Sequence, residues 1–121
     1  MPKLDESAKG VYLITVTPFH DTGELDLEST DRVTDFYLEK GATGLTVLGV
    51  MGEAPKLTAE ESRRYVKRVL DRVKGRVPVI VGVSSPGFAA MGELAKGVMD
   101  LGAAGVMVGP AASVKTDDQA F

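Results

Sequence analysis

The segment Gly49-Val50-Met51-Gly52-Glu53 sets two glycines around two apolar residues and ends on a carboxylate. With no Cβ at either glycine, backbone N–H groups there can lie open to an anion such as a carboxylate or a phosphate. A tight turn between a strand and a helix explains the same residues, and spacing alone favours that plainer reading. Gly52 is not followed by the Lys-Ser or Lys-Thr of a phosphate loop, and the GxGxxG order of a dinucleotide site is missing, so nucleotide binding is not expected. Ser84 and Ser85 could hold a phosphate at a helix N-terminus, although capping of that helix by Ser85 accounts for them. His20, next to Asp21, has no partner at ligand or triad spacing and reads as a solvated loop side chain.

A chain of 121 residues with one His and no Cys has no means of building a thiolate site, a multi-histidine metal site, a disulfide or a cysteine nucleophile. No metal and no other cofactor is expected. The net charge of −3 gives no electrostatic reason for nucleic acid as a partner. Arg63, Arg64, Lys67, Arg68, Arg72, Lys74 and Arg76 crowd into one stretch. They read as the solvated face of a helix, with Glu60–Arg64 and Lys67–Asp71 as i, i+4 pairs. No run approaches the roughly 20 apolar residues that cross a bilayer, and Met1 to Gly10 lacks the apolar centre of a signal peptide. The expectation is a cytoplasmic protein without a membrane partner.

The elements that must position these residues follow from hydrophobic periodicity. Four near-continuous apolar runs, 11–16, 44–49, 77–83 and 105–108, are rich in Val and Ile, as strands buried on both faces of a parallel sheet require. Between them lie three helices. The first has Asp26 as N-cap, a stripe of Val33, Phe36, Tyr37 and Lys40, and Gly41 as its stop. The second opens on the capping box Thr58-Ala59-Glu60-Glu61, carries Ser62, Tyr65, Val66, Val69, Leu70 and Val73 inward, and stops near Gly75. The third is expected from Ser85, with Pro86 in its first position, burying Leu94, Ala95, Val98 and Leu101 before Gly102. Thr116 to Asp118 resembles the cap of a fourth helix. Strands that begin about 28 to 33 residues apart fit a right-handed βα series. Rhythm leaves two architectures open, a doubly wound sheet and half of a (β/α)₈ barrel, and both gather functional loops at the carboxyl ends of the strands.

Several short motifs occur in one order. They are Gly10 to Phe19 ending in Thr17-Pro18-Phe19, Asp26, Gly49-x-x-Gly52-Glu53, Leu57-Thr58-x-Glu60-Glu61, Val77-Pro78-Val79-Ile80-x-Gly82-Val83 and Gly102-Ala103-x-Gly105. Together the chain resembles the amino half of the dihydrodipicolinate synthase and N-acetylneuraminate lyase family. The resemblance implies an α/β fold, the amino-terminal half of a (β/α)₈ TIM barrel with 1–121 as a partial barrel domain, and assembly as a homo-oligomer. It implies class I aldolase or lyase chemistry on pyruvate or another 2-oxo acid. A lysine on the sixth strand would form the Schiff base, whose protonated imine withdraws electrons from the adjacent carbon. A tyrosine of the fifth strand would relay the proton.

The resemblance implies that both those strands lie beyond Phe121, and no lysine here takes the place of the Schiff-base residue, since Lys40, Lys67, Lys74 and Lys96 fall in or beside helices and Lys9 precedes the first strand. The substrate-binding residues implied here are Val50, Met51, Gly52, Glu53 and Thr17. Two departures bear on the reaction. Relatives carry hydroxyl residues where Val50 and Met51 stand, and many place a relay tyrosine where Ala112 stands. A member with a substrate other than that of dihydrodipicolinate synthesis is therefore expected. The competing expectations are an inactive half barrel or truncated product with a structural or oligomeric role, and a doubly wound domain binding phosphate through Gly49 to Glu53.

Overall fold

A computed structural model describes residues 3–109. It contains β1 (Tyr12–Ile14), α1 (Leu27–Glu39), β2 (Gly44–Val47), a single 3₁₀ turn (Ala54–Lys56), α2 (Ala59–Val73), β3 (Val79–Gly82), α3 (Phe88–Leu101) and β4 (Gly105–Met107). The strands pair in parallel in the order β1-β2-β3-β4. Leu13, Leu45 and Val79 stand in one register row, and Ile14, Thr46 and Ile80 in the next. Each strand is shorter than the apolar run that signals it, the run extending past the strand at its end and, for β1 and β3, also before its start. The α2–β3 connection enters through Val77 and Pro78, where Pro78 has no N–H to give and its carbonyl accepts Leu45 N–H at 3.0 Å.

The strand order decides between the two architectures. A doubly wound sheet reverses direction at a switch point and places helices on both faces. Here the order never reverses, α1 packs on α2, and α2 packs on α3, so every crossover lies on one face. This is half of a (β/α)₈ barrel. Side chains alternate accordingly. Leu45, Val47, Val79 and Val81 point to the helices and join Tyr65, Val66, Val69, Val73 and Val98 in one buried cluster. Thr46 and Ile80 occupy the opposite face beside Ile14, which is 52% exposed, and Met107, which is 44% exposed.

The helices form for legible reasons, with three differences from expectation. In α2, Thr58 accepts the N–H of Glu61 while the Glu61 side chain accepts the N–H of Thr58, a complete capping box. Asp26 caps α1 by accepting the N–H of Ser29 at 2.9 Å. Of the expected α1 stripe of Val33, Phe36, Tyr37 and Lys40, however, only Tyr37 packs against the core, with Leu27 and Leu38 beside it. The fully buried positions of α1 are Thr30 and Thr34, and Phe36 is half-exposed beneath the Lys40 ammonium. Thr30 can be buried because its hydroxyl donates to the Asp26 carbonyl at 2.8 Å, which leaves only a methyl to pack. The second difference concerns α3, which starts at Phe88 rather than Ser85. Gly87 takes extended angles (φ −95°, ψ 126°) as the N-cap, so no helix runs through it from Pro86 and α3 begins only after it.

The third difference lies in the basic stretch. Lys67–Asp71 forms at 2.8 Å, as the spacing suggests. Arg68 and Arg72 instead reach across to α1, where they grip Asp31 and Asp35 through paired guanidinium–carboxylate hydrogen bonds. Part of the charged face is thus a seam between helices. Among the described residues no helix is long and apolar enough to cross a membrane.

Two expectations follow for stability. Thr58→Ala removes half of the capping box and costs about 1 kcal/mol, read as a lower urea midpoint with unchanged slope. The Arg68 and Arg72 hydrogen bonds hold the Asp31 and Asp35 carboxyls below their usual value of 3.8, and Ser29 does the same for Asp26. A carboxyl lowered in the folded state stabilises fully above its unfolded value, and that stabilisation disappears as pH falls through the folded value. The melting temperature should therefore fall as pH drops below 3.8, and Asp31→Asn with Asp35→Asn should flatten that decline.

Candidate functional site at the carboxyl ends of the strands

Beyond β1 the ladder continues one step, with Thr15 N–H donating to Thr46 O at 2.9 Å. The chain then passes under the loop that follows β2. Thr17 is buried, and its hydroxyl donates to the Gly52 carbonyl at 2.7 Å. Tyr65, only 1% exposed, reaches from α2 to the same place. Its phenol donates to Val16 O at 3.2 Å and lies 3.5 Å from the Thr15 hydroxyl. Burial pushes the Tyr65 phenol above its ordinary pKa, opposed by hydrogen bonds with Thr15 and Thr17. This phenol stays protonated and acts as a donor.

The loop after β2 carries two residues in the left-handed region, Leu48 (φ 57°) and Glu53 (φ 56°). Non-glycine residues hold that conformation only where neighbours compel it. For Leu48 the compulsion is visible, since its side chain is buried and its carbonyl crosses directly over Gly82. A Cβ on Gly82 would fall inside the van der Waals envelope of the Leu48 carbonyl oxygen. Gly82 is thus a glycine because another backbone lies on it. Within the loop, Glu53 N–H returns to Val50 O at 3.0 Å. Among the described residues, no acceptor takes the N–H of Val50, Met51 or Gly52.

An open cleft of about 600 Å³ lies at this end of the sheet, between the β2 loop and the ends of β3 and β4. Its walls are mostly apolar, from Leu48, Val50, Ala54, Pro55, Met107 and Val108, with Glu53 and Lys56 at the rim. Glu53 and Lys56 pair at 2.6 Å. Ser84 lines the floor and accepts Gly109 N–H at 2.8 Å, tying the end of β3 to that of β4.

The residues singled out in the sequence occupy different parts of this end of the sheet. Val50, 97% exposed, and Glu53 line the cleft. Met51 is exposed outside its wall, Gly52 is buried beneath it, and Thr17 lies under Gly52. Ala112 lies outside the described residues, as do Thr116 to Asp118. His20 is exposed, with Nδ1 3.6 Å from Asp26, and Ser85 caps no helix. Ser84, weighed in the sequence as a phosphate ligand, instead ties β3 to β4, and Lys56, Met107 and Val108 were not legible as site residues. Only the rule that strand ends collect functional loops points to them, and Lys56 sits in a 3₁₀ turn that no periodicity announces.

Four parallel strands in sequential order, helices on one face and an apolar cleft at the strand ends define a half barrel of the (β/α)₈ class. The chain belongs to the Dihydrodipicolinate synthetase family, which it matches over residues 7–110. It is 42% identical over 100 residues to a 4-hydroxy-tetrahydrodipicolinate synthase of Kosmotoga olearia, covering 83% of this chain and 34% of that protein. The chain thus spans about a third of the length of the curated relatives it matches. Among solved structures, dihydrodipicolinate synthase from Rhodopseudomonas palustris superposes with a TM-score of 0.92 at 54% identity, over 98% of this chain and 39% of that one. A chloride-inhibited dihydrodipicolinate synthase from Acinetobacter baumannii, complexed with pyruvate, superposes with a TM-score of 0.79 at 28% identity, over 82% and 34%.

The crossing of Leu48 over Gly82 makes a contrast between two glycines. Gly82→Ala should cost about 1–3 kcal/mol, because the clash is with backbone that cannot rotate away, and should shift the amide resonances of residues 48–53. Gly92→Ala, in the interior of α3 with open space around it, should stabilise by about 0.5–1 kcal/mol. Chemical denaturation of both variants tests the pair.

Proposed function

We propose that this chain supplies the carboxylate-binding part of a class I aldolase or lyase acting on pyruvate or another 2-oxo acid. The observation that carries this reading is the row of N–H groups at Val50, Met51 and Gly52 that find no acceptor among the described residues, at the carboxyl end of β2 and beside the cleft. Successive free N–H groups form a concave donor site that suits a carboxylate without needing a charged side chain. Family membership supports the reaction class, and a relative complexed with pyruvate supports the substrate class.

In this reading the loop holds the acid end of the 2-oxo acid and presents its keto carbon to an amine. The amine and the relay tyrosine are supplied outside residues 1–121, in a cytoplasmic homo-oligomer built from whole barrels, with 1–121 as part of one barrel domain. Lys56 is poorly suited to be that amine. It is exposed, and its ammonium is tied to the Glu53 carboxylate at 2.6 Å. Val50 and Met51 donate through their backbones but carry no proton on a side-chain heteroatom, so the loop binds without relaying. That division favours a reaction partner different from the one dihydrodipicolinate synthesis uses.

Titration of the ¹⁵N-labelled chain with pyruvate tests this reading. The amides of Val50, Met51 and Gly52 should shift with a dissociation constant on the order of 1–10 mM, and acetone, which lacks the carboxylate, should not move them. Borohydride added to the pyruvate mixture should leave the intact mass unchanged. An adduct on a single lysine would place the nucleophile within these residues, and silent loop amides would leave a half barrel with a structural role.

A further inference from the structure

N–H groups can serve a carboxylate only if the loop bearing them holds one shape before the ligand arrives. Two contacts hold it here. On one side the Leu48 carbonyl rests over Gly82. On the other, the Thr17 hydroxyl holds the Gly52 carbonyl at 2.7 Å. A peptide unit is planar, so pinning the Gly52 carbonyl sends the Glu53 N–H the opposite way, where it meets Val50 O at 3.0 Å. The loop closes on itself through that bond, and the N–H groups of Val50, Met51 and Gly52 are left without acceptors among the described residues. Gly52 would otherwise be the most conformationally free residue of the loop.

Thr17 does not reach the cleft. It is 5% exposed and absent from the cleft wall, so it has no surface to offer a ligand there. Its own position is anchored from the core, because the preceding carbonyl, that of Val16, accepts the Tyr65 phenol. Resting on the reading above, we infer that Thr17 is a positioning residue for the carboxylate of the 2-oxo acid. It acts through the Gly52 carbonyl, with Tyr65 as its anchor, and does not contact the substrate.

Thr17→Val keeps the shape and β-branching of the side chain and removes only the donor, whereas Thr17→Ser keeps the donor. In the ¹⁵N-labelled chain, Thr17→Val should weaken pyruvate binding about tenfold and speed hydrogen exchange at Glu53 N–H about tenfold. Exchange at Val47 and Val81 should stay within about twofold of the parent, and Thr17→Ser should restore both binding and protection. Unchanged Glu53 exchange in Thr17→Val overturns the inference. So does loosening of Val47 and Val81 to the same degree, which marks a merely structural hydroxyl. If the parent chain fails to bind pyruvate, the carboxylate reading falls, and Glu53 exchange alone then decides whether Thr17 holds the loop.

Discussion

The hydrogen bond from the Tyr65 phenol to the Val16 carbonyl joins the two halves of this structure's problem, packing and function. Tyr65 is the largest of the fully buried side chains, set on the inward face of α2 among Leu45, Val47, Val66 and Val69. A residue that size is held in the core by its apolar ring, and burial is tolerable only because its hydroxyl finds a partner. The partner is the backbone at the end of β1. The helix is therefore keyed to the strand end at a fixed height, and the next residue, Thr17, is delivered beneath the β2 loop.

From that key the strand-end geometry propagates through contacts that each hold the backbone of a neighbouring strand end. Leu48 crosses Gly82, Thr17 holds Gly52, and Ser84 holds Gly109. Each link joins consecutive strands, so the ends of β1, β2, β3 and β4 form one connected rim. Buried polar groups along this rim are satisfied, and no buried side-chain N or O among the described residues lacks a partner. The rigid scaffold carries irregular backbone only where it is pinned, which is how loops acquire function without forfeiting order. Electrostatics contribute little at the rim, where Glu53 and Lys56 neutralise each other, and more on the outer seam, where Arg68 and Arg72 bind α1 to α2.

How far the sequence reveals this depends on how local the physics is. The capping box at Thr58 and the inward row of α2 were legible because both depend on residues three and four apart. The inward face of α1 was only partly so, since counting apolar residues passes over the buried Thr30 and Thr34, and the Thr30 hydroxyl is satisfied by the Asp26 carbonyl so that its methyl can pack. The start of α3 was misread for a related reason. Ser85-Pro86 has the chemistry of a helix start, but Gly87 takes the extended angles of an N-cap and the helix begins after it. In the site, the Gly49 to Glu53 loop was visible as a glycine pattern. Its wall of Met107 and Val108 was not, because residues some sixty positions apart meet there only through the sheet.

The sequence by itself determined the element types, the parallel pairing they require and the family to which the motifs belong, because periodicity, caps and short motifs are written in neighbouring residues. Only the tertiary structure decided that the sheet never reverses its order, that Gly82 exists to let Leu48 pass, and that Thr17 faces a carbonyl and not the cleft. Those facts depend on which strand lies beside which and at what height. Register and height are set by the combined packing of three helices on one face, a property that no short stretch of chain possesses.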